Sequence, residues 1–113
     1  MSGEPDSRLR LDQLSGSARR LLDYVAVLDS GARYAILRHL ARVSEEDMVE
    51  HLRETVNAGL LVVVPGQPNT YAFTDEAVRA LVVAEIGEQR LPKLRSRAQA
   101  ARRRVLGDRE VLP

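Results

Sequence analysis

The chain has no cysteine, which excludes disulfides, thiolate catalysis and Cys-based zinc sites. It has a single lysine, Lys93, and no G-x-x-x-x-G-K stretch, so the phosphate-cradling loop of a P-loop ATPase and its lysine are missing. No apolar run approaches the ~18 residues of a membrane span. The N-terminus, MSGEPDSRLR, lacks the apolar core of a signal peptide. A cytoplasmic protein without membrane contact is the expectation. Aromatics are few: Tyr24, Tyr34, Tyr71 and Phe73. A base-stacking platform needs exposed rings beside arginines, whereas Tyr71 and Phe73 alternate along a strand and suit the packing of a hairpin.

What remains is a globular composition. At 113 residues the chain is one domain of ordinary size, able to bury roughly 60–70% of its unfolded surface without a metal or a disulfide. The net charge of +1 hides an uneven spread. Residues 44–58 carry Glu45, Glu46, Asp47, Glu50 and Glu54 against Arg53 alone. Residues 90–104 carry Arg90, Lys93, Arg95, Arg97, Arg102, Arg103 and Arg104 and no acid. Such patterning bears on partners more than the total does.

The elements follow from periodicity and caps. Residues 1–7 are polar and are expected to form a flexible end. Ser15 or Ser17 can cap a helix over 15–28 whose inner face is Ala18, Leu21, Leu22, Val25 and Leu28. Leu9, Leu11 and Leu14 precede it and could staple its start. Asp29-Ser30-Gly31 is a break, with Ser30 as a cap for a second helix over 32–41 that turns Ile36, Leu37 and Leu40 inward. Ser44-Glu45-Glu46-Asp47 resembles a capping box. It opens a third helix expected to bury Met48, Val49, Leu52 and Val56 and to stop at Gly59.

The run 60–64 is apolar and β-branched, hence a strand. Pro65-Gly66-Gln67-Pro68-Asn69 is turn chemistry, and 70–73 returns as the partner strand. Thr74 can cap a fourth helix with Val78, Leu81, Val82 and Ile86 inward and Gly87 at its end. Beyond it, Leu91, Leu94, Ala98, Ala101 and Val105 recur at a 3-4-3-4 spacing, a narrow stripe suited to packing one helix on another.

The order helix–helix–helix–hairpin–helix, carried by RLDQLSGSARRLLDYVAVLD at 10–29, SEEDMVEHLRETVNAGLL at 44–61 and YAFTDEAVRALV at 71–82, resembles the winged-helix domain that follows the nucleotide-binding domain in STAND-type ATPase transcription regulators. These include the LuxR-type regulators with an ATPase module and the maltose-activator type. LPKLRSRAQAARRRVLG at 91–107 is similar to the first helix of the helical arm that follows there. The resemblance covers about 8–107. It implies a mainly α fold with a small β-hairpin: a winged helix-turn-helix over 8–87, followed by a C-terminal basic amphipathic helix and tail over 88–113. It also implies packing on an ATPase domain and a part in coupling nucleotide state to oligomerisation. Many relatives carry a basic–histidine pair just after the second strand. Thr74-Asp75 stands there in this chain, so the nucleotide contact of a winged-helix histidine passes to no residue.

No catalytic constellation is legible. His39 and His51 lie on different helices, and His51 with Glu54 does not close a zinc site. Ser15, Ser17 and Ser44 precede helices, where capping explains them. The expectation is a non-enzymatic module without metal or cofactor. The helix that would ordinarily lie in a DNA groove is acidic, and 64–70 has no lysine or arginine to reach phosphate. Contacts with a protein partner, an adjacent ATPase domain or a second copy are therefore favoured over the alternative, a winged-helix DNA-binding regulator. The candidate contact residues are Arg90, Lys93, Arg95, Arg97, Arg102, Arg103 and Arg104 on the basic helix, and Glu46, Glu50 and Glu54 on the acidic one.

Overall fold

A computed structural model describes residues 4–28 and 32–111. In chain order it holds α1 (Glu4–Asp12), α2 (Gly16–Leu28), β1 (Ala32–Arg33), α3 (Tyr34–Ala41), α4 (Glu45–Asn57), β2 (Leu61–Val63), β3 (Thr70–Phe73) and α5 (Glu76–Val111). The molecule is mainly helical, with a small antiparallel sheet ordered β1-β3-β2.

α2 is the central helix. The Ser15 hydroxyl accepts the Ala18 N–H at 3.2 Å, satisfying one of the N–H groups that the first turn leaves free. Its expected inner residues are all buried, and so are Tyr24, Ala26 and Val27. α2 is therefore covered on most of its circumference, as a core helix rather than a surface one. α1 begins at Glu4, inside the segment expected to be a flexible end. Leu11 anchors it with no exposure, while Leu9 faces solvent. Arg8 of α1 and Arg19 of α2 both pair with Glu85 of α5. One apolar anchor in a charged segment gives no periodic signal, so this helix was not legible from pattern.

The break at Asp29-Ser30-Gly31 and the Ser30 cap lie outside the described residues. The expected second helix is observed as α3, with Ile36, Leu37 and Leu40 buried. The two residues assigned to its start are instead β1, pairing Ala32 with Tyr71 and Arg33 with Thr70. The hairpin is thus part of a three-stranded sheet with β3 in the middle. β2 pairs with β3 through Leu61–Phe73, Val62–Ala72 and Val63–Tyr71. A two-residue strand is too short for alternation to reveal it.

α4 opens as expected: the Ser44 hydroxyl accepts the Asp47 N–H at 3.1 Å. It closes in a Schellman arrangement, with Gly59 N–H to Val56 O at 2.9 Å and Leu60 N–H to Thr55 O at 3.0 Å. Gly59 takes φ +77, a conformation that disfavours any side chain. The inner face needs correction. Met48 and Leu52 are buried, but Val49 and Val56 are 41% and 37% exposed. The third inner residue is Thr55, whose hydroxyl is satisfied by Leu52 O at 2.9 Å and His51 O at 3.1 Å. That local bond is what lets a polar side chain be buried in a helix.

α5 is capped by Asp75, not Thr74. The Asp75 Oδ1 accepts the Ala77 N–H at 2.9 Å, whereas the Thr74 hydroxyl donates to Gly59 O at 2.7 Å and ties the end of the hairpin to the end of α4. At Gly87 the backbone leaves helical geometry, with φ 87 and ψ 160, a region that essentially only glycine enters. α5 is therefore two helical segments, 76–86 and 88–111, meeting at the expected stop. Val78, Val82 and Ile86 of the first segment and Leu94, Ala98 and Ala101 of the second join one hydrophobic cluster with α2, α3 and α4. The 3-4-3-4 stripe packs within the chain. A fully buried leucine there contributes about 1.5–3 kcal/mol.

Candidate functional site

Two surfaces collect the residues singled out by charge. The first is the outer face of α4. Glu45, Glu46, Asp47 and Glu50 are exposed. So are Val49 and Val56, with Val62 and Val63 on the adjoining sheet. Glu45, Val49, Leu52, Arg53 and Val56 form one wall of a groove of about 550 Å³, and Tyr34, Val63 and Tyr71 line it from α3 and the sheet. The Tyr34 hydroxyl is buried and finds no hydrogen-bond partner among the described residues. The face is apolar at its base and mostly acidic around it.

Glu54 does not belong to that face. Its carboxylate accepts the Ser15 N–H at 2.8 Å and the Ser15 hydroxyl at 2.9 Å. Of the three acids named as candidate contacts, Glu46 and Glu50 stay available and Glu54 holds the start of α2.

The second surface is the basic segment of α5, and it divides in the same way. Arg102 donates to Leu28 O at 2.7 Å, the last residue of α2. Arg97 donates to Leu40 O at 3.3 Å, near the end of α3, and lies over the Tyr24 ring at 6.0 Å. Both place positive charge at the carbonyl ends of helices, where the helix dipole favours it. Arg90 reaches Asp23 at 3.5 Å. Burial raises the pKa of the Asp23 carboxyl, and the Arg90 guanidinium and the charges of Arg19 and Arg20 pull it back only in part. Lys93, Arg95, Arg103 and Arg104 are exposed and enter no ion pair among the described residues. Three of the seven bases thus make contacts within the chain, and four stay exposed without an ion pair among the described residues.

Sequence reasoning missed the groove because α4 carries two partly apolar stripes with the same spacing. Met48, Leu52 and Thr55 form one, and Val49, Arg53 and Val56 the next. Periodicity cannot choose between them. Arg53, charged and in the middle of the second stripe, was the available signal. Among the described residues no three His, Asp or Glu side chains converge as a metal site would need, and no helix is long and apolar enough to cross a membrane.

Compared with known proteins, the chain matches no family model, no curated protein and no solved structure at a significant level.

Proposed function

We propose that the chain is a non-catalytic winged-helix module of a bacterial transcriptional regulator, cytoplasmic, acting through protein–protein or interdomain contacts that couple nucleotide state or assembly to regulation. The order α2–β1–α3–α4–β2–β3, with β1 completing the sheet, supports the winged-helix reading. In that arrangement α4 takes the place of the groove-reading helix. The regulatory role draws on the resemblance in element order.

The observation that carries the proposal is the outer face of α4. It sets Glu45, Glu46, Asp47 and Glu50 around Val49 and Val56. Carboxylates repel a phosphate backbone, whereas exposed valines beside a groove suit a protein surface. The occupant would be an adjacent ATPase domain or a second copy.

Light scattering across a concentration series, and titration with the nucleotide-binding domain of a STAND-type regulator, test this with wild type and a Val49→Asp/Val56→Asp variant. Both valines are exposed, so the variant is expected to keep the fold. Association that disappears in the variant supports the proposal. Association indifferent to both substitutions would contradict it. The alternative, a winged-helix DNA-binding regulator, draws on Lys93, Arg95, Arg103 and Arg104, which are exposed but lie on α5 rather than α4.

A further inference from the structure

A separate cleft of about 440 Å³ opens between the end of α3 and the second segment of α5, lined by His39, Leu40, Arg42, Arg97, Ala101 and Arg104, with Ala100 beside them. We propose that it binds a small soluble polyphosphate, a ligand carrying two or more linked phosphate groups, through Arg42, Arg97 and Arg104 with His39 adding a ring donor.

The sign of the cleft is the first ground. Three arginines and a histidine line one concavity, and among the described residues no acid lines it. Four arginines elsewhere face carboxylates: Arg8 and Arg19 on Glu85, Arg79 on Glu76, Arg90 on Asp23. Arg42 and Arg104 have no such partner among the described residues. A cleft lined by charge of one sign concentrates the field inside it, and the planar guanidinium fork matches phosphate oxygens.

Arg42 is the second and independent ground. It closes α3 in the left-handed region, φ 56 and ψ 45, with its N–H on Arg38 O. That position favours glycine, and α4 closes with a glycine, Gly59, at φ +77. An arginine where glycine is easier carries a conformational cost, and strain of this kind concentrates where a side chain has a use.

Arg97 is the third. Its bond to Leu40 O and its place over Tyr24 fix the guanidinium from two sides, while further N–H groups remain for a ligand. The carbonyl end of α3 opposes an anion, and Arg97 covers part of it.

The cleft's volume lies within the range of small-molecule sites and exceeds what one phosphate fills. Lys93, Arg95 and Arg103 do not line it, so the exposed bases of α5 divide between this cleft and the open face.

The test is an amide-shift titration of the whole chain with inorganic pyrophosphate at constant ionic strength, with chloride as the control. Saturable shifts confined to 39–42 and 97–104 are expected. Arg42→Gly and Arg104→Ala should each weaken binding by about tenfold or more, and Arg103→Ala should leave it unchanged. Arg42→Gly should also leave the melting temperature equal or higher, which separates a ligand contact from a structural one. Shifts that fail to saturate or that chloride reproduces would overturn the proposal. So would an Arg42→Gly protein that binds as wild type, or tighter binding of these residues to duplex DNA or anionic phospholipid vesicles than to pyrophosphate.

Discussion

Glu54 of α4 holds Ser15 at the start of α2 by two bonds, accepting its backbone N–H at 2.8 Å and its hydroxyl at 2.9 Å. In a capping box the carboxylate three residues into a helix reaches back to the capping residue's N–H. Here that position is Ala18, whose own N–H goes to the Ser15 hydroxyl. The carboxylate comes from another helix, 39 residues away. Glu54→Ala should therefore cost about 1–2 kcal/mol at a partly exposed site, whereas Glu50→Ala should stay within about 0.5 kcal/mol. Urea unfolding of the two variants checks this.

The basic segment of α5 predicts an unequal response from neighbouring arginines. Arg102 caps the end of α2 through Leu28 O, and Arg103 is exposed. Arg102→Ala should lower stability by about 1 kcal/mol through lost capping and packing, and Arg103→Ala by less than about 0.5 kcal/mol. A triple replacement of Arg102, Arg103 and Arg104 would mix a folding defect with a surface effect. Association should be tested with Arg103 and Arg104 alone, after thermal melts have separated the two kinds of residue.

The helices α2, α4 and, apart from its first two residues, α3, with the hairpin and the stop at Gly87, were legible because each rests on a local rule: a capping serine, a 3.6-residue spacing, a glycine that must take positive φ. β1 was not, because two residues carry no period and Ala32 and Arg33 become a strand only once β3 is beside them. The cap of α5 was misplaced by one residue because Thr74 and Asp75 can each fill that role; the sheet decides, by taking the Thr74 hydroxyl for Gly59 O. At the candidate site, charge was legible and allegiance was not. Nothing in the spelling separates Arg103, which faces solvent, from Arg102, which holds a helix end 74 residues away. The valines of the groove were read as core for the same reason: burial of one stripe over its neighbour depends on what packs across it.

Gly87 should tolerate no side chain, for conformational reasons alone. A Cβ there would meet nothing within 4 Å, so no clash is involved. Its φ of 87 and ψ of 160 would still cost an alanine about 1–3 kcal/mol. Gly87→Ala should lower the denaturation midpoint by a corresponding amount, and a variant as stable as wild type would mean that the two segments of α5 can meet at another angle.

Asp23 gives a pH dependence with a definite sign. A carboxyl whose pKa is raised in the folded chain holds its proton more tightly there than when unfolded, so it favours folding at low pH and disfavours it once ionised. Its contribution to stability should fall as pH rises from the ordinary value of 3.8 through the raised one, then level off. Asp23→Asn removes that slope. The stability of the variant relative to wild type should therefore improve with pH across this window, measured by urea unfolding at each pH at fixed ionic strength.

The most direct test of the proposed protein-binding role is fluorescence anisotropy of a labelled duplex across a salt series, with wild type and a Glu46→Lys/Glu50→Lys variant. The expected result is no saturable binding by wild type near 0.15 M salt and a gain of affinity in the variant, because reversing the charge on α4 removes the repulsion that keeps phosphate away. Saturable wild-type binding with a steep salt slope, lost when α4 rather than α5 is altered, would contradict it.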